Sequence, residues 1–130
     1  MSQRIPHLYV GPSDIDDRGV FSTQPIPEGS IIEVCAVIVI DRDEMEYLKK
    51  TELYNYYFDW DEEERSGAIA LGYGSLYNHA YLPNAEYILD KKFNRLEFYA
   101  IRDIEAGEEI TINYNGDPSN QEKVWFDNQE

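Results

Sequence analysis

Asn78-His79-Ala80-Tyr81-Leu82-Pro83-Asn84, with Glu108-Glu109-Ile110-Thr111-Ile112-Asn113-Tyr114 further along, is the stretch on which the reading of this chain turns. The first motif follows Leu71-Gly72-Tyr73-Gly74-Ser75-Leu76-Tyr77 and sets the polar pair Asn78-His79 in an aromatic, apolar stretch bounded by turn-forming residues. Loops of that kind carry function more often than plain connections do. The plainer alternative is that Asn78 and His79 satisfy buried backbone groups. The second motif reads as a β-branched strand that ends on a tyrosine.

Working outward, 130 residues with 42% hydrophobic and 14% aromatic content fit one domain over 1–130, with 115–130 as a short C-terminal tail packing on the core. No apolar run reaches the roughly 18 residues of a membrane helix. The opening MSQRIPHLYV is too short and polar for a signal peptide, so the chain is expected to be intracellular and soluble, without distinguishing cytoplasm from nucleus. Cys35, the only cysteine, lies in the apolar run Ile31–Ile40. It is expected to be a small core side chain, and it can build neither a disulfide framework nor a thiolate zinc cluster. His7 and His79 are the only histidines, and no metal site is expected.

Eleven Lys plus Arg against 26 Asp plus Glu give a net charge of −15. That balance argues against direct nucleic-acid binding, and no membrane partner is expected; a basic protein segment suits it better. Any one cluster, such as Asp61–Glu64, reads as a solvated face. The whole-chain imbalance is another matter, because clefts with low-dielectric walls focus such a field and steer cationic partners.

Short β-like runs predominate: His7–Val10, Gly19–Ser22, Ile31–Ile40, Tyr54–Trp60, Ala68–Leu71, Glu86–Asp90, Leu96–Ile101 and Ile110–Tyr114. One helix is expected over about Arg42–Lys50, with Asp41 as N-cap, Glu44 three residues on, and Met45 and Leu48 sharing a face. A second is expected over about Ser119–Phe126. Lys91-Lys92-Phe93-Asn94 reads as a hairpin turn, Pro25–Gly29 as another turn, and Asp61–Gly67 as a mobile loop. Pattern alone stops at a small, mainly β, partly irregular domain.

The ordered motifs go further. Asn78, His79, Pro83 and Asn84 match the N-H-S-C-x-P-N motif of the SET-domain lysine methyltransferases. Asp17–Ser22 resembles that family's opening G-x-G-V/L-F/Y-A, and Glu28-Gly29 followed by Ile31–Val34 resembles the segment before its second strand. Phe98–Tyr114 is similar to F-x-A-x-R-D-I-x-x-G-E-E-L-T-x-D-Y. The resemblance covers most of the chain and implies a β-clip-like SET fold of short sheets, with a C-terminal pseudoknot that brings Asn78 and Tyr114 together and one or two short helices. It also implies S-adenosyl-L-methionine as methyl donor, a lysine on a basic protein or histone-like tail as acceptor, and entry of the two from opposite faces of a narrow channel. By position, Tyr114 matches the catalytic tyrosine. Asn78 and His79 match donor-holding residues, and Arg18, Gly19 and Val20 match the opening segment whose main chain wraps the donor. Gly19 suits close backbone approach, although an ordinary turn glycine is the alternative. Trp125 either covers the donor's adenine or packs in the core.

The chain departs from the family pattern at several positions. Asp17 replaces the first glycine of the opening motif, Ala80 and Tyr81 replace Ser-Cys, and Asn113 replaces the acid before the tyrosine. Val34 stands where many members carry a channel-lining tyrosine in E-Y-x-G, and Ala36 stands at the glycine; Tyr73, Tyr54 and Tyr56 are the candidates to compensate. Ile112 occupies the position that commonly influences how many methyl groups are added. The cysteine-rich flanking modules of many histone-directed relatives are absent from this sequence. Two other readings stand beside the enzyme: an inactive SET-like module that binds basic partners, and an acidic protein that sequesters them by charge. The oligomeric state is left open, a dimer included.

Overall fold

The computed structural model describes residues 3–114. In chain order the strands are β1 (Gln3–Arg4), β2 (Leu8–Pro12), β3 (Arg18–Ser22), β4 (Ile31–Ile40), β5 (Tyr57–Asp61), β6 (Ser66–Ala70), β7 (Asn78–His79), β8 (Ala85–Asp90), β9 (Arg95–Ala100) and β10 (Glu109–Ile112). The helix α1 (Arg42–Leu48) and two 3-10 turns, Glu52–Asn55 and Gly74–Leu76, complete the described elements.

The apolar run Ile31–Ile40 forms the longest strand because it serves both edges of one sheet. β4 pairs with β9 through Ile31–Ala36, with β1 through Glu33 and Val34, and with β6 through Val37–Ile40. The order β5-β6-β4-β9-β8 follows, with β1 joined to β4. The second sheet runs β2-β3-β10-β7. Between them lies the core, in which Val20, Ile32, Cys35, Leu96, Phe98, Ile110 and Ile112 have no exposed surface. Burial also pushes the Cys35 thiol well above its ordinary range, which leaves it an inert apolar side chain.

α1 forms as expected: the Asp41 carboxylate accepts from the Glu44 N–H at 3.1 Å, and Met45 and Leu48 are buried. Lys91–Asn94 turns the β8–β9 hairpin, in which Asp90 faces Arg95. Most strand ends shift by one or two residues, and three differences from expectation have a local cause. The run Tyr54–Trp60 divides, because the Thr51 hydroxyl accepts from the Leu53 N–H at 3.2 Å and winds Glu52–Asn55 into a 3-10 turn before β5 begins. The acidic segment after Trp60 is a hairpin turn over 62–65, held by Asp61 accepting from the Glu63 and Glu64 N–H groups at 3.1 and 3.3 Å, with Arg65 left-handed at φ 57°. β10 stops at Ile112 because its partner β7 ends at His79, and the Tyr114 N–H turns to the His79 ring instead. The helix expected over Ser119–Phe126 and the tail 115–130 lie outside the described residues.

What positions the site is the parallel pairing of β10 with β7, Thr111 beside Asn78 and Ile112 beside His79. The loop that follows β7 closes over β10. Ala80 donates its N–H to the Ile112 carbonyl at 2.9 Å. Asn84, 1% exposed, accepts from the Thr111 N–H at 2.8 Å and donates to the Glu109 carbonyl at 2.8 Å. β10 is thereby threaded between β3 and this loop, which is the juxtaposition the family resemblance implied. Asn84→Ala strands two buried backbone groups, and urea unfolding is expected to show a loss of about 2–3 kcal/mol with an unchanged m-value.

Candidate active site

Four acceptors converge on the side-chain nitrogen of Asn78. The Arg18 carbonyl and the Glu109 carboxylate lie at 2.8 Å, the Ser13 hydroxyl at 3.1 Å and the Asp16 carbonyl at 3.3 Å. An amide nitrogen has two hydrogens, so the two shortest contacts satisfy it. Ser13 donates in turn to Glu109 at 2.5 Å, and its oxygen caps the N–H groups of Ile15 and Asp16. One buried amide thus fastens the 13–18 turn and β3 to the start of β10. Gly19 suits this close approach: a Cβ would displace the Glu109 carboxyl and press on the Asn78 amide nitrogen. Asp17 takes φ 37°, a left-handed conformation that glycine, its counterpart in the family motif, adopts without strain.

Beside this cluster, Tyr114 is held at both ends. Its N–H donates to His79 Nδ1 at 3.0 Å and its hydroxyl donates to the Tyr77 carbonyl at 2.8 Å. Its ring lies 5.1 Å from the His79 ring, which also meets Tyr81 edge-on at 4.3 Å. Tyr114 as a whole residue is 38% exposed, but its hydroxyl end sits among protein groups. Burial raises the pKa of that hydroxyl well above the ordinary tyrosine range, and the carboxylates of Asp16 and Glu109, then the hydroxyls of Tyr56 and Tyr87, push it further. Tyr114 is therefore a neutral phenol. Its proton is given to the Tyr77 carbonyl.

An aromatic wall connects this hydroxyl to the core. Tyr87 meets Phe58 edge-on at 5.0 Å, Phe58 meets Phe98 at 6.2 Å, and Phe98 lies against Tyr77 at 4.7 Å. Tyr87 titrates at about 12, raised by burial and then by Asp59.

The structure thus gathers Tyr114, Asn78, His79, Arg18 and Gly19 in one place. Val20 lies in the core, with its backbone paired to β2 and β10. Ile112 is fully buried and pairs beside His79. Tyr73 is placed elsewhere, under the Arg4 guanidinium at 4.1 Å, whereas Tyr56 is one of the groups acting on Tyr114. Trp125 lies outside the described residues. Sequence reading passed over Ser13, Asp16, Glu109, Tyr77 and Tyr87. Glu109 sat within the quoted second motif, and a buried anchor for the Asn78 amide was the signal to look for. Tyr77 contributes a backbone carbonyl, for which side-chain identity holds no signal.

Residues 17–115 match the SET domain as a family. The chain belongs to the SET-domain family, and with it to the protein-lysine methyltransferases. It is 33% identical over 132 residues to the fission yeast (Schizosaccharomyces pombe) histone-lysine N-methyltransferase named as specific for H3 lysine-37, covering 97% of this chain and 84% of that one. It is 33% identical over 110 residues to the Dictyostelium discoideum histone-lysine N-methyltransferase set1, covering 78% of this chain and 7% of that much longer protein. Among solved structures, a Plasmodium falciparum protein provisionally named as a histone methyltransferase superposes with a TM-score of 0.68 at 31% identity, over 85% of this chain and 98% of that one. Among the described residues, no helix is long and apolar enough to cross a membrane.

Ultraviolet difference titration of wild type against Tyr114→Phe tests the state of the hydroxyl. Its proton is expected to remain bound beyond the ordinary tyrosine value of about 10; tyrosinate signal from Tyr114 at or below that pH would contradict the assignment.

Proposed function

We propose that this chain transfers the methyl group of S-adenosyl-L-methionine to a lysine side chain on a basic protein segment, with a histone tail as the substrate class. The observation that carries the reading is the neutral Tyr114 hydroxyl, fixed on the Tyr77 carbonyl beside Asn78 and His79. The substrate class is supported by the net charge of −15 and by the histone-directed names of the relatives.

The residues present fit such a donor. When bound, the donor supplies a methyl group on a cationic sulfur. The Asp16 and Glu109 carboxylates, already felt by the Tyr114 hydroxyl, offer the complementary charge. In this reading Arg18 and Gly19 provide the wall on one side, with the buried Val20 behind them, and Asn78 and His79 the wall on the other. The Asn78 amide is engaged in fastening that wall, so its part is to hold the shape of the site while backbone groups meet the ligand.

The acceptor presents a cost that the site must offset. A lysine of ordinary pKa near 10.4 is neutral in roughly one molecule in a few thousand at pH 7, about 4–5 kcal/mol before attack begins. The aromatic surroundings of Tyr56, Tyr87 and Tyr114 lower that cost by disfavouring the charged amine. Alignment of amine and methyl group then supplies on the order of 7–11 kcal/mol of effective concentration. Tyr114, whose hydroxyl holds its proton, orients the groups and does not act as a base. Ile112 offers no hydroxyl to hold a water near the amine, which favours addition of more than one methyl group.

The test is transfer of labelled methyl from the donor to a mixture of basic proteins, with intact mass of the modified product. Wild type is expected to transfer label and to accumulate di- or trimethyl-lysine, and Tyr114→Phe to lose about 100-fold or more in kcat. Absence of both donor binding and transfer would overturn the enzymatic reading. Donor binding without turnover would favour an inactive binding module, and accumulation of monomethyl-lysine alone would overturn the role given to Ile112.

A further inference from the structure

Glu33 is the single acid within the apolar run Ile31–Ile40, and it is only 2% exposed. A carboxylate withdrawn from water costs several kcal/mol unless charge-assisted hydrogen bonds replace its hydration. Here both oxygens are occupied: Oε1 accepts from the Tyr77 hydroxyl at 2.6 Å and Oε2 from the Tyr73 N–H at 2.9 Å. The turn before Tyr73 is moulded on this carboxylate. Gly72 takes φ +67°, and a Cβ on it would collide with Glu33 Oε2. Arg4 faces Glu33 in register and lays its guanidinium over the Tyr73 ring.

Tyr77 is the point of interest, because it ties this buried acid to the proposed site. Its ring is 1% exposed and packs against Phe98 with centroids 4.7 Å apart. Its hydroxyl is gripped by Glu33, and its carbonyl accepts the hydroxyl of Tyr114 at 2.8 Å. A residue clamped along its ring and at its tip cannot pivot, so its carbonyl is a fixed point. We propose that Glu33 is a positioning residue for methyl transfer: by holding the Tyr77 hydroxyl it fixes the Tyr77 carbonyl, and through it the orientation of the Tyr114 hydroxyl. The inference rests on the catalytic reading of Tyr114 given above. Glu33 and the Tyr77 hydroxyl are buried beneath the site, so releasing their grip alters geometry and leaves substrate contacts in place.

A double-variant cycle distinguishes this from a merely structural role. Tyr77→Phe keeps the packed ring and removes the hydroxyl that Glu33 holds. Displacements of about 1 Å from productive geometry can cost as much as 100-fold, and partial release here is expected to lower kcat about tenfold. The donor Kd and peptide KM should stay within about twofold, because uniform binding is untouched. In the Tyr114→Phe background, Tyr77→Phe should slow transfer no further, since no hydroxyl remains to be positioned. An unchanged kcat in Tyr77→Phe, or the same loss in both backgrounds, would overturn the inference while leaving Tyr114 catalytic. Full activity in Tyr114→Phe alone would instead remove the reading on which it rests, and the inference with it. If Tyr77→Phe does not fold, Glu33→Met, which removes the acceptor for the hydroxyl at similar side-chain volume, goes through the same cycle with the same outcomes.

Discussion

The parallel pairing of Thr111 and Ile112 with Asn78 and His79 is the constraint on which the rest of the site depends. It joins segments separated by the whole β8–β9 hairpin, and nothing local to either segment would hold it. The loop after β7 supplies the missing support, with Ala80 bonded to Ile112 and Asn84 to both Glu109 and Thr111. Once β10 is seated, its two ends do different work. Glu109 at its start receives the Asn78 amide and anchors the 13–18 turn, and Tyr114 just past its end is turned onto His79 and Tyr77. Wall and catalytic candidate therefore arise from one docking event.

Electrostatics then divides the labour between near and far charge. Carboxylates close to Tyr114 act on its hydroxyl and, with burial, hold its proton in place. The remaining acidic excess lies largely on the surface, where salt screens it over about 8–10 Å and its effect is on the approach of basic partners. The same sign of charge serves two purposes because Asp16 and Glu109 stand beside the buried Tyr114 hydroxyl and the other acids do not.

Much of this was legible in the sequence for identifiable reasons. The apolar run of β4, the Asp41 cap and the Lys91–Asn94 turn are local signals, and each appears in the structure where the residues put it. The motif order indicated the family and, through it, the meeting of Asn78 with Tyr114. What sequence could not supply was the set of contacts made across long separations by groups without a distinctive identity. The Tyr77 carbonyl is backbone, Ser13 is an ordinary hydroxyl in a turn, and Glu33 is one acid in an otherwise apolar run. The substitution of Val34 for the family's tyrosine directed attention to Tyr73, Tyr54 and Tyr56 together, and only the spatial record separates them: Tyr56 acts on Tyr114, while Tyr73 lies with Arg4 and Glu33.

The central claim is that donor and lysine meet at the Tyr114 hydroxyl, in the site that the β7–β10 pairing assembles. A crystal structure of the protein with S-adenosyl-L-homocysteine and a lysine-containing basic peptide tests it most directly. The account predicts the sulfur beside Asn78 and His79, the lysine amine reaching it past Tyr56 and Tyr87, and the Tyr114 hydroxyl, still bonded to the Tyr77 carbonyl, beside the gap between them. A sulfur bound away from Asn78 and His79, or a lysine amine that approaches it without passing Tyr114, would contradict it.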